Sequence, residues 1–225
     1  MSARSSRHSF AIAVIALASC GHKAKKPEAD PAKVKELASK MIDHSPVPAA
    51  LPRCKAEELV APVTVTYRTL RLLAGQVSPA TAPEEADWLN PAPLDHPATR
   101  LLLDDKADET AKREAAGELV AARSWILYRI DLVNAPMALG AKELKTGTIN
   151  GRVIRYDRSG LPTCVYVWNF QNTREKTDWA ISVSNKPYID PAVMKVLQDD
   201  LTAQYLANLP RGTPAPTTPT PPAPK

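Results

Sequence analysis

The stretch GTINGRVIRYDRSGLPTCVYVWNF, residues 147–170, carries the densest β signal in the chain. Two runs rich in β-branched and aromatic residues flank Asp157-Arg158-Ser159-Gly160, a tight-turn sequence in which Gly160 can take a positive φ. They read as a hairpin. In the second run Cys164, Tyr166, Trp168 and Phe170 fall on one face, and Thr163, Val165 and Val167 on the other. Both faces are largely apolar, which predicts a central strand covered on both sides. Downstream, DWAISVS at 178–184 alternates and predicts a third strand, with QNTREKTD at 171–178 as a polar hairpin loop. Upstream, SWILYRIDLV at 124–133 predicts another strand. Continuing the preceding helix through it would put Arg129 on an apolar stripe. The fold class expected is α+β, with an antiparallel meander of three to four strands over about 124–184.

The helices expected around this sheet carry their own signals. Asp30-Pro31 and Asp190-Pro191 each pair an N-cap residue with a proline suited to the first turn. Val34, Leu37, Ala38, Met41 and Ile42 then recur at helical spacing, predicting a helix over 31–44. Val193, Val196, Leu197, Leu201, Tyr205 and Leu209 predict another over 191–208, whose apolar face needs the sheet as partner. A stripe of Ala115, Leu119 and Ala122 predicts a helix over 105–122. The segment 62–74 is ambiguous, because Val63-Thr64-Val65-Thr66 alternate while Val63, Tyr67, Leu70 and Ala74 share a helical face; a helix is preferred. Prolines crowd 76–100, which predicts a long loop pinned by Trp88 and Leu89. One α+β domain over 31–209 follows, ending in a Pro/Thr-rich tail at 210–225 that cannot form a core.

The amino terminus reads differently. Arg4 and Arg7 precede nine apolar residues, Phe10 to Ala18. That run is shorter than the ~20 residues needed to span a bilayer. A positive n-region, a short apolar h-region and small residues at its end describe a signal peptide over 1–19. Leu17-Ala18-Ser19-Cys20 resembles the lipobox of bacterial lipoproteins. The resemblance implies cleavage before Cys20, lipidation of Cys20 (diacylglyceryl on its thiol and palmitate or a similar acyl group on its amine) and a membrane partner reached through that lipid. Gly21, where an Asp would imply inner-membrane retention, leans toward the outer membrane facing the periplasm. Residues 20–30 become a lipidated tether, and Lys23, Lys25 and Lys26 lie beside the anchor.

With Cys20 assigned to lipid, Cys54 and Cys164 form an even pair in an oxidising compartment. A disulfide is expected, and the alternative is two buried thiols. The net charge is +5, falling to +3 once the signal with Arg4 and Arg7 is removed; this mild excess argues no nucleic-acid partner.

Chemistry-bearing motifs are scarce. No serine elbow, phosphate loop, CxxC or metal-ligand spacing occurs, so no catalytic residue, metal or cofactor is expected. Asp95-His96 is the one histidine with an acidic neighbour in a loop, and such pairs are usually caps. GRVIRYDRSG resembles a single YD-repeat unit of the Rhs family. One unit cannot bury its own face, so Tyr156-Asp157 is read as the close of a hairpin strand. Trp125, Tyr128, Tyr156, Tyr166, Trp168, Phe170 and Trp179 gather in or beside the sheet. They read as core or, with Tyr128, Tyr166 and Trp168 foremost, as a pocket for a glycan, lipid or peptide. The functional expectation is a non-enzymatic structural or interaction module of the cell envelope, with an envelope protein partner; the alternative is a ligand-binding lipoprotein.

Overall fold

The computed structural model describes residues 26–46, 50–76, 89, 92–140, 143–183 and 189–209. Residues 1–25, with the expected signal peptide and Cys20, lie outside the described residues, as do Trp88 and the Pro/Thr-rich tail. In chain order the elements are α1 (Pro31–Asp43), β1 (Val63–Thr66), α2 (Tyr67–Leu73), α3 (Pro97–Leu103), α4 (Glu109–Ala121), β2 (Ser124–Asn134), β3 (Met137–Gly140), β4 (Glu143–Lys145), β5 (Thr148–Asp157), β6 (Pro162–Gln171), α5 (Arg174–Val183) and α6 (Pro191–Asn208).

The α+β class is as the sequence predicts, and the helix ends show why. Asp30 accepts the Ala32 amide at 2.9 Å and Asp190 accepts the Ala192 amide at 2.9 Å, so each carboxylate satisfies an amide the helix leaves free. Val34, Ala38 and Met41 of α1 are buried, as are Leu197, Leu201 and Tyr205 of α6. At the β5–β6 turn Asp157 accepts from the Ser159 and Leu161 amides, and Gly160 takes φ +83°.

Four strands form one sheet in the order β1-β2-β5-β6. β2, β5 and β6 are the antiparallel part, while β1 runs parallel to β2, pairing Val63 with Trp125 and Thr66 with Tyr128. β3 and β4 form a separate two-stranded ribbon inserted between β2 and β5. One sheet face packs against α1 to α4 through Val63, Val65, Trp125, Leu127, Ile154 and Tyr156. The other, bearing Ile126, Tyr128, Val153, Cys164 and Trp168, meets Leu201 and Tyr205 of α6 together with Cys54, Leu59, Leu89 and Leu94. Trp125, Ile126 and Leu127 are consecutive and fully buried, which only a strand clad on both faces allows. Each such side chain contributes roughly 1.5–3 kcal/mol.

Five expectations are corrected. Residues 178–183 of the run are not a strand, and 171–178 is not a hairpin loop: residues 174–183 form α5. Thr173 accepts the Lys176 amide at 3.4 Å as a cap, and Asp200 of α6 accepts the Thr173 amide at 2.8 Å, so a tertiary contact starts this helix. The segment 62–74 divides at Thr66, which ends β1 and caps α2 by accepting the Thr69 amide at 3.3 Å. The Pro-rich loop yields to α3 at Pro97, after a single helical turn at Ala92–Leu94. Finally, β6 is an edge strand and not a central one. Val167 is 59 % exposed, and the apolar side chains at 164–165 are met by the segment before Lys55 and by the helical layer instead of a further strand.

Candidate functional site

The cysteine pair is bonded. Cys54 and Cys164 form a disulfide with their Cα atoms 4.9 Å apart, joining positions 110 residues apart in sequence. It fastens an irregular segment to the β6 edge, where the Cys54 amide donates to Val165 O and the Val165 amide donates to Pro52 O, both at 3.0 Å. Cys20 is thereby the one cysteine of the chain outside the bridge.

The strap at residues 26–29, just before α1, is fastened to α4. The Ala29 amide donates to Arg113 O at 3.0 Å, and Lys26 Nζ lies 3.5 Å from Glu114 Oε2. The Pro27 carbonyl sits against Gly117 of α4, where a Cβ would collide with it. Glycine inside an exposed helix costs about 1 kcal/mol relative to alanine, so its place in an Ala-rich helix is accounted for by this close approach. Beside the strap lies a groove of about 660 Å³, lined by Pro27, Pro97, Ala98, Leu101, Ala111 and Ala115 among others.

Of the three aromatic side chains singled out from the sequence, the fold separates two from the third. Tyr128 and Trp168 are buried, 1 % and 4 % exposed, whereas Tyr166 is 39 % exposed. The Trp168 ring stacks on Phe170 at 5.2 Å and packs against Tyr205 at 5.2 Å, so α6 occupies the surface that a ligand would need. Trp125 and Tyr156 belong to the opposite, helix-covered core. Trp179 is on α5 and half-exposed.

Asp95 and His96 are engaged in holding the fold. His96 Nδ1 accepts the Ala98 amide at 3.2 Å as the cap of α3. Asp95 is buried and accepts from the Thr66 amide and from Thr69 Oγ1, both at 2.6 Å. Burial pushes its carboxyl above the ordinary value, against the opposing pull of those hydrogen bonds.

A charged cluster escaped the sequence reading. Arg129 and Arg152 are directly opposed on β2 and β5, an arrangement that repels. A register shift between Ile130 and Leu132 leaves Asp131 as the extra residue of the strand. Asp131 accepts both Nε and Nη2 of Arg152, at 2.7 and 2.8 Å, and lies 3.1 Å from Arg129 Nε. Arg129 also donates to Ser45 O at 3.2 Å, and its guanidinium lies 4.9 Å from the Tyr67 ring centroid. The signal was Arg-x-Asp on a strand, but only the bulge and the β5 register bring the second arginine to it. The cluster ties the end of α1 to the sheet and contains no nucleophile paired with a base.

Among the described residues no three His, Cys, Asp or Glu side chains gather as metal ligands would, and no helix is long and apolar enough to cross a membrane. No protein-family model, curated protein or solved structure matches this chain.

Proposed function

We propose that the chain is a bacterial lipoprotein, anchored through lipid on Cys20 and displayed in the cell envelope, on the outer membrane facing the periplasm. Its folded part acts there as a structural or interaction module and not as an enzyme. The observation that carries the reading is the Cys54–Cys164 disulfide. A bridge of this kind belongs to oxidising compartments. It also withdraws two of the three cysteines, leaving Cys20 within Leu17-Ala18-Ser19-Cys20 as the thiol for modification. Asp95 and His96 are committed to burial and capping, which favours a non-catalytic role. The burial of Tyr128 and Trp168 favours this reading over an aromatic ligand pocket.

The test is Cys20→Ala in cells fed a labelled fatty acid. Wild-type protein should carry label and sediment with membranes. The variant should lose the label, keep the Cys54–Cys164 bridge and move to the soluble fraction. Label retained on the variant overturns the assignment.

A further inference from the structure

The geometry points to the groove between α3 and α4 as a membrane-contacting face, held against the bilayer by the docked strap at 26–29. This inference rests on the lipid-anchor reading and goes further by fixing the domain's orientation. A lipidated tether is ordinarily a free leash that lets its domain tumble. Here the leash is taken up before the first helix begins. The Ala29–Arg113 hydrogen bond, the Lys26–Glu114 ion pair and the seat of Pro27 on Gly117 hold it along α4.

Lys26 is six positions from Cys20. Fully extended, that chain spans at most about 20 Å, so the strap stays within that distance of an acylated Cys20. The groove opens directly beside the strap, because Lys26 and Pro27 form part of its wall. Its remaining lining is mainly apolar, and Leu101 is 37 % exposed there. The two acids on its wall each face a cationic or basic nitrogen: Glu114 faces Lys26 Nζ, and Glu118 lies 3.5 Å from His96 Nε2. Lys26 is paired with Glu114, but Lys23 and Lys25 add two cations to the sequence between Cys20 and the strap, of the kind an anionic lipid surface attracts, each worth about 1 kcal/mol near the surface. Short reach, apolar lining and basic flank all favour bilayer lipid as the occupant.

The experiment uses the acylated mature protein, beginning at Cys20, in vesicles of phosphatidylethanolamine and phosphatidylglycerol. A photoreactive benzoylphenylalanine replaces Leu101 in one sample and Val167 in another. Val167 lies on β6, three strand spacings from β1, and is well exposed. Mass analysis of Cys20 acylation is made on each sample first. The expected result is a phospholipid adduct severalfold more abundant at 101 than at 167. Adding Gly117→Val, which displaces the strap, should bring the yield at 101 down to that at 167 with Cys20 still acylated. Equal yields in the parent background, with Cys20 acylated, overturn the orientation and leave the anchor standing. Absence of acyl groups on Cys20 overturns both. Bias toward 101 that survives in a folded Gly117→Val protein overturns the role of the strap. If that variant does not fold, the comparison of 101 with 167 decides the matter alone.

Discussion

At the β1 edge of the sheet, Thr64 O accepts the His96 amide at 2.8 Å, Thr64 Oγ1 donates to Leu94 O at 2.6 Å, and Asp95 takes the Thr66 amide. At the β6 edge, Pro52 and Cys54 make two backbone hydrogen bonds to Val165, and the disulfide fastens the adjoining residue. Both edges are thus covered by irregular chain from elsewhere in the sequence, which blunts the pairing hazard of a free strand. They differ in the lock. One is a buried carboxylate among threonines, about thirty residues from its partners. The other is covalent and spans 110 residues. The covering also differs in extent. β1 is four residues long and covered for most of its length. β6 is ten residues long. Among the described residues, nothing pairs with the outward backbone of Val167 or Asn169. A long edge fastened at one end depends on its fastening more than a short edge covered throughout.

The largest expected effect comes from removing the covalent lock. Cys54→Ser with Cys164→Ser should cost roughly 2 to 5 kcal/mol, near the upper end for so long a loop. It should also free the first half of the β6 edge and promote self-association, read by thermal denaturation and by sedimentation across a concentration series. A monomeric variant of unchanged stability would remove the distinction between the edges. Next is Asp95→Ala, which leaves the buried Thr66 amide and Thr69 hydroxyl without their acceptor. About 2 to 3 kcal/mol should be lost in urea melts, with no change in association.

A smaller effect separates the locks by pH. The Asp95 carboxyl is raised by burial above 3.8, its ordinary value, so the folded chain holds that proton more tightly than the unfolded chain. Its contribution is full below the ordinary value and lost as pH rises through the folded one. Asp95→Asn should therefore flatten the fall in stability across the mildly acidic range relative to the parent protein. Parallel curves for the two proteins would contradict this account. The smallest effect is Val167→Lys, expected within about 0.5 kcal/mol because the side chain is exposed. Placed in the disulfide-free protein, it should suppress self-association if the open edge is what associates, since lysine is a natural edge guard.

Local signals made much of the architecture legible. Asp-Pro starts located α1 and α6, because a cap and a proline act on neighbouring amides whatever surrounds them. DRSG located the β5–β6 turn for the same reason, since Asp157 and Gly160 satisfy it internally. Even spacing failed at 178–184. Trp179, Ile181 and Val183 alternate, yet they lie in α5 because Thr173 caps it and Asp200 holds that cap. The sequence reading took 171–178 for a loop, and the contact from α6 that seats the Thr173 cap lies far along the chain. The site followed the same division. The cysteine pair was legible by counting, whereas the Arg129–Asp131–Arg152 cluster needed a bulge that no local signal announced.

By itself the sequence determined the α+β class, the Asp-Pro starts of α1 and α6, the hairpin and the candidate cysteine pair, all of which depend on neighbours within one turn or on composition. Tertiary structure alone decided that β1 runs parallel, that β6 lies at an edge, that Tyr128 and Trp168 are enclosed by α6 and that the segment before α1 is seated on Gly117. Each of these is a choice of partner between segments far apart in the chain. Such choices are settled by which surfaces exclude water together, and no stretch of sequence carries that information alone.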